Sequence, residues 1–101
     1  MTYEVIISSE AQLDILEILE FAAVQSPRYV RNFNTAFDEL VARLERFPKY
    51  APVAYKNARK TIMEKLPFLV YYTIDDANLE ITVHAVFHHS RNPDILKRRI
   101  T

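Results

Sequence analysis

The chain has 101 residues, half of them hydrophobic and 26% charged, with 13 Lys/Arg balanced by 13 Asp/Glu. That length and composition specify one soluble domain, residues 1–101, with a single core. There is no cysteine and no glycine, which excludes disulfides, thiolate metal sites and phosphate-cradling glycine loops.

The charge is unevenly distributed. Residues 1–55 hold 5 Lys/Arg against 8 Asp/Glu, and residues 56–101 hold 8 against 5 together with all three histidines. An anionic partner would therefore meet the C-terminal half first. The N-terminus shows no basic region followed by an apolar core, and no apolar run approaches the ~20 residues that span a bilayer, so a cytoplasmic protein is expected.

In chain order, Tyr3–Ile7 reads as a short β-branched strand. Ser9-x-x-Gln12 reads as a capping box opening a helix that runs to about Gln25. Ala11, Ile15, Ile18, Leu19 and Ala22 share one helical stripe and are assigned to the core. Glu10, Asp14 and Glu17 form an acidic row elsewhere on that helix. Leu13 and Leu16 lie off the stripe, either packing against the next helix or presenting a docking surface for a partner protein.

Ser26 as N-cap and Pro27 at the first helical position start a second helix. It carries Val30, Phe33, Phe37, Leu40, Val41 and Leu44 at helical spacing and ends before Pro48. So short a link implies an antiparallel helix hairpin. Residues 49–58 have no clear period.

Three strands are then expected, over residues 59–66, 69–74 and 79–88. Asp75-Asp76-Ala77-Asn78 is the loop of the last hairpin, with Asn78 or Asp76 best able to take φ > 0 without glycine. Pro67 begins the middle strand or sits where no ladder bond is needed. After Pro93, with Asn92 as N-cap, residues 94–100 can form one or two helical turns ending in Lys97-Arg98-Arg99.

The last strand has a parity conflict. Ile81 and Val83 are odd and Val86 and His88 even, so either both sheet faces are partly covered or a bulge near His84-Ala85 re-aims the strand end. Tyr71 and Tyr72 point to opposite faces; one is expected in the core, leaving the other free to stack on a base.

The strand delivers His88-His89-Ser90-Arg91 to its end. His88 is either a strand-end histidine bonded to nearby backbone or an acid/base or nucleic-acid contact; His89 is the weaker candidate. Arg91 can hold a phosphate or carboxylate through its fork, or tie down the C-terminal segment through Glu64 or a main-chain carbonyl. Arg59, Lys60 and Lys65 add positive charge to the same region. His84 and His88, separated by roughly 13 Å along an extended strand, are too far apart for one metal ion. No cofactor or metal is expected.

The spacing Ile81-x-Val83-x-x-Val86-x-His88-x-x-Arg91-x-Pro93 resembles the C-terminal signature of the RelE/ParE toxin superfamily, on the ParE-like side. Pro67-Phe68-x-Val70-x-Tyr72-x-Ile74 is similar to the preceding family strand, Ala11-x-x-Asp14-Ile15-x-x-Ile18 to the first helix, and Leu44-x-x-x-Pro48 to the end of the second. Many family members carry a glycine shortly after that proline, where this chain has Ala51.

The resemblance implies an α+β fold: an N-terminal strand, an antiparallel helix hairpin and a three-stranded antiparallel meander, with the helices on one sheet face. It also implies the toxin of a type II toxin–antitoxin system of the plasmid-stabilisation kind, neutralised by a co-encoded antitoxin. Leu13 and Leu16, with the sheet edge, are the expected antitoxin surface. The toxin is then a homodimer or part of a toxin–antitoxin hetero-oligomer. ParE-like members poison DNA gyrase, which is the favoured activity; RelE-like members cut mRNA on the ribosome, which is the alternative. On that alternative His88, His89 and Arg91 are catalytic. Arg59, Lys60, Lys65, Lys97, Arg98 and Arg99 are expected to contact the target or nucleic acid. The mild basicity of the sheet half favours the gyrase branch, because phosphate neutralisation dominates nucleic-acid affinity.

Overall fold

A computed structural model describes residues 2–100. Strand β1 (Glu4–Ile7) leads into helix α1 (Ser9–Gln25) and helix α2 (Pro27–Arg46); strands β2 (Val53–Tyr55), β3 (Ala58–Ile62), β4 (Phe68–Asp75) and β5 (Glu80–His88) follow. A 3-10 turn (Pro93–Ile95) and helix α3 (Leu96–Arg99) close the chain. The sheet order is β1-β5-β4-β3-β2, with β1 parallel to β5 and every other pairing antiparallel.

The α+β architecture and the β3-β4-β5 meander are those expected. Strand β2 is an addition, a short edge strand in the stretch read as aperiodic. It pairs irregularly with β3, with a register shift between Val53 and Tyr55, which is why no clean alternation marks it.

The N-cap of α1 is one residue earlier than expected. Ser8 accepts from the Ala11 amide, while the Gln12 side chain donates back to the Ile7 carbonyl. Ser26 caps α2 by accepting from the Tyr29 amide, with Pro27 at the first position. Ser26 alone separates the helices, ending α1 and capping α2, so the chain turns back on itself there.

The parity conflict in β5 is resolved by a bulge. Tyr71 pairs with Ala85 and Tyr72 with Val83, leaving His84 as the extra residue. Ile81 and Val83 before the bulge and Val86 after it therefore all face the helices, where they join Phe33, Leu40, Leu44 and Tyr72 in the main core. The opposite sheet face is covered too. Tyr71, Ala85 and Phe87 pack there against Leu96 and Ile100 of the C-terminal segment.

Both tyrosines are consequently buried, Tyr71 in the second core and Tyr72 in the first with its hydroxyl donating to the Pro48 carbonyl at 2.7 Å. Neither is free to stack on a base, contrary to expectation, because the C-terminal turn supplies a lid for the second face.

Without glycine, three other residues take left-handed backbone: Lys56 (φ 50°), Lys65 (φ 63°) and Leu79 (φ 53°). In the last hairpin the position is thus Leu79 rather than Asn78 or Asp76. Asn78 is held instead by its amide and side chain, which donate to the two oxygens of Asp75, and the reversal falls on the next residue. Among the described residues, no helix is long and apolar enough to cross a membrane.

Candidate functional site: the β5 rim and the α1 groove

β1 stops at Ile7 because Ser8 is committed to capping α1. Beyond Val83, then, β5 has β4 on one side and no strand on the other. Helix α1 lies across that side, and Asp14 meets the exposed edge there. Its carboxylate accepts from the Val86 amide at 3.0 Å and from the Arg99 guanidinium through two bonds, 2.7 and 3.1 Å. Arg99 also donates to the His84 carbonyl at 3.0 Å and lies 5.1 Å from the centre of the Phe87 ring. This pair supplies the bulged edge with the donor and acceptor that a neighbouring strand would otherwise provide.

Asp14 is 5% exposed, although the sequence groups it with Glu10 and Glu17 in an acidic row away from the core stripe. The signal was present: it lies three residues after Ala11 and four before Ile18, both core positions, so it sits on the flank of the stripe rather than behind it. Arg99 is likewise withdrawn from the surface. Its side chain is 13% exposed and spent on Asp14, so it stands in the fold rather than among the residues that reach a target. The tie to the C-terminal segment that was considered for Arg91 is made by Arg99. Glu64 lies instead 4.0 Å from Arg43.

Further along the rim, His88 and His89 are exposed, their rings 4.5 Å apart. Phe68 meets His88 edge-on at 5.8 Å. His88 Nδ1 accepts from the Ser90 amide at 3.2 Å and lies 2.7 Å from the Ser90 hydroxyl, which places the proton of the neutral ring on Nε2. Arg91 is anchored by its amide donating to the His88 carbonyl, and its guanidinium lies over the Phe87 ring at 4.9 Å. Among the described residues it forms no ion pair. His84, half-buried at the bulge with Nε2 2.7 Å from the Thr73 hydroxyl, has its pKa lowered, first by burial and then by the Arg99 charge, with Glu10 opposing.

These groups border a groove of about 540 Å³ between α1 and the end of the sheet. Ile18, Phe21, Tyr29 and Phe68 give it an apolar floor; His88 and Arg91 stand on one wall, Asp14 and Glu17 on the other. His88 and Arg91 are therefore brought together with α1, a juxtaposition not visible in the sequence. His89 does not line it; its amide donates to the Pro67 carbonyl.

A family model described as the ParE toxin of the type II toxin–antitoxin system parDE matches residues 5–93. The chain belongs to the ParE toxin family. Among solved structures it is similar to a chain of the chromosomal ParDE toxin–antitoxin system from P. aeruginosa, at TM-score 0.72 and 17% identity, covering 85% of this chain and 95% of that one. It is also similar to a chain of the RelBE2 toxin–antitoxin complex from Mycobacterium tuberculosis, at TM-score 0.61 and 18% identity, covering 90% and 95%. At such identities the likeness is one of fold. Comparison with curated proteins returns no match.

In this ParE-family toxin the other basic residues are scattered. Arg59 is half-buried and donates to the Ala51 carbonyl at 2.6 Å and the Lys49 carbonyl at 3.3 Å. Lys60, next in the strand, points to the opposite face and lines a shallow depression there with Tyr71 and Lys97. Lys97 pairs with Asp94 at 3.4 Å. Lys65 sits in the β3–β4 turn beside Glu64 and Glu39, and Arg98 is exposed on α3. Leu13 and Leu16 are 61% and 52% exposed, and Phe21 and Val24, not singled out before, are 56% and 83% exposed. Helix α1 thus leaves large apolar side chains exposed beside its charged residues, which are all acidic: Glu10, Asp14, Glu17 and Glu20.

Proposed function

We propose that this toxin acts in the cytoplasm by binding DNA gyrase and is silenced by a co-encoded antitoxin. Membership of the ParE family supports the gyrase reading. The observation that carries it against mRNA cleavage is the dispersal of the basic residues. A nuclease must converge cationic and proton-transferring groups on one scissile phosphate. Here Arg99 is consumed by Asp14 and Arg59 by loop carbonyls, while Lys60 and Lys97 border a separate depression. His88 and Arg91 line the groove with no further Lys or Arg beside them among the described residues.

The antitoxin reading draws support from the two solved systems, both of them toxin–antitoxin pairs. It also accords with the outer face of α1, where Leu13 and Leu16 stand uncovered. Large apolar side chains left exposed in a row mark an interaction surface, so a partner that covers this face fits the antitoxin role.

The test pairs a gyrase supercoiling assay with ribosome-dependent mRNA cleavage. Inhibition in the first with no cleavage in the second is expected. Codon-specific cuts that fall at least ~100-fold on His88→Ala, His89→Ala or Arg91→Ala, with folding retained, would move the protein to the nuclease branch.

A further inference from the structure

The upper edge of β5 is only partly satisfied. The Met63 amide donates to the Phe68 carbonyl, so Phe68 and, by alternation, Val70 present their backbone groups to β3. Leu69 and Tyr71 therefore bond to Phe87 and Ala85, and the N–H and C=O groups of Val86 and His88 point away from β4, toward α1. Asp14 takes the Val86 amide, and the Arg91 amide takes the His88 carbonyl. The Val86 carbonyl and the His88 amide have no hydrogen-bond partner among the described residues, and Val86 and His88 both line the groove.

These two groups have the spacing that one residue of a parallel strand bridges: its N–H reaches the carbonyl of residue i−1 and its C=O accepts from the amide of residue i+1. β1 already runs parallel to β5 on this side and stops at Ile7. A segment entering the groove would continue its track beyond the Asp14 carboxylate.

We infer that the α1 groove is a docking site for an extended peptide segment of a partner protein. It adds in parallel to β5 opposite Phe87 and presents an apolar–acidic–apolar triplet. The register dictates the side chains. The central residue shares the sheet face of Phe87, where Arg91 lies over the ring and forms no ion pair among the described residues, so a carboxylate is matched there. Its two neighbours point to the helix face, where Ile18, Phe21 and Phe68 form the apolar floor. The groove, about 540 Å³, lies within the range of pockets that enclose small ligands. The inference concerns this groove alone and holds for either cellular target, so it and the gyrase reading can fail separately.

The probe is a capped seven-residue peptide with Leu-Glu-Leu at its centre, titrated into the ¹⁵N-labelled full chain. The His88 amide is expected to shift downfield and its hydrogen exchange to slow at least ~10-fold. N-methylation of the central glutamate, which removes the donor to Val86, should abolish binding. Arg91→Glu, at an exposed position, should weaken the Glu-centred peptide at least ~10-fold and favour a Lys-centred one. Equal binding of the N-methylated peptide would overturn the inference. So would shifts centred on Leu13, Leu16 and Val24, indifference to Arg91→Glu, or no binding at millimolar peptide. His88 protection that grows with protein concentration alone would assign the edge to a second copy of this chain instead.

Discussion

Replacing Arg99 by Ala should destabilise the whole domain, not only its C-terminus. Arg99 gives the 5%-exposed Asp14 carboxylate two of its three hydrogen bonds and also satisfies the His84 carbonyl. With Arg99 gone, a buried charge keeps a single neutral donor, the Val86 amide. Breaking such a pair from one side typically costs about 3–5 kcal/mol, a large share of the roughly 5–15 kcal/mol that holds a domain together. For a chain of this size each kcal/mol lowers Tm by about 4–8 °C, so the drop should exceed roughly 12 °C. Urea denaturation followed by circular dichroism gives the free energy, with Asp14→Asn and the double variant completing a cycle. Lys97→Ala is the control, since its pair with Asp94 is exposed on both sides and should leave the midpoint unmoved. A loss below ~1 kcal/mol for Arg99→Ala, the range of exposed pairs, would refute the clasp and with it the docking of α3 on the sheet.

His84 makes stability depend on pH. Burial lowers its folded pKa below the ordinary 6.5, so the unfolded chain binds the proton more readily. That contribution is fully present above pH 6.5 and is lost as pH falls from there toward the folded value; His84→Gln should flatten a Tm profile measured from pH 8 to 5. Charging the outer face of α1 with Leu13→Glu and Leu16→Glu should weaken antitoxin binding at least ~10-fold by calorimetry while Tm stays within a few degrees; unchanged affinity would place the antitoxin surface elsewhere. Lys65→Gly should stabilise by about 0.5–1 kcal/mol in urea, because the left-handed backbone there costs a side-chain-bearing residue more than glycine loses in entropy.

Much of the fold was legible because its signals are local. Ser26-Pro27 marks a helix start by hydrogen bonding alone, the Phe33–Leu44 stripe repeats at the helical period, and the alternation in β4 marks it as a strand. The parity break in β5 left two readings, partial cover of both faces or a bulge near His84-Ala85, and both are realised. What could not be read depends on long-range placement. Asp14 and Arg99 lie at opposite ends of the chain, and only the folded bulge gives their pairing a purpose. Arg99 then looks like one more cation in a basic tail. Strand β2 was missed because its pairing with β3 is irregular. One of Tyr71 and Tyr72 was expected to be free for a base because nothing local shows that the last helical turn folds back over Tyr71. The groove, likewise, joins residues of α1 to the end of β5 and has no signature in either segment alone.

The most direct test of the functional account is gyrase-catalysed supercoiling of relaxed plasmid, titrated with the purified toxin, beside ribosomes programmed with mRNA under the same toxin concentrations. The account predicts that supercoiling is inhibited in proportion to toxin, that antitoxin restores it, and that the mRNA stays intact. Undiminished supercoiling with mRNA cut at defined codons would contradict it.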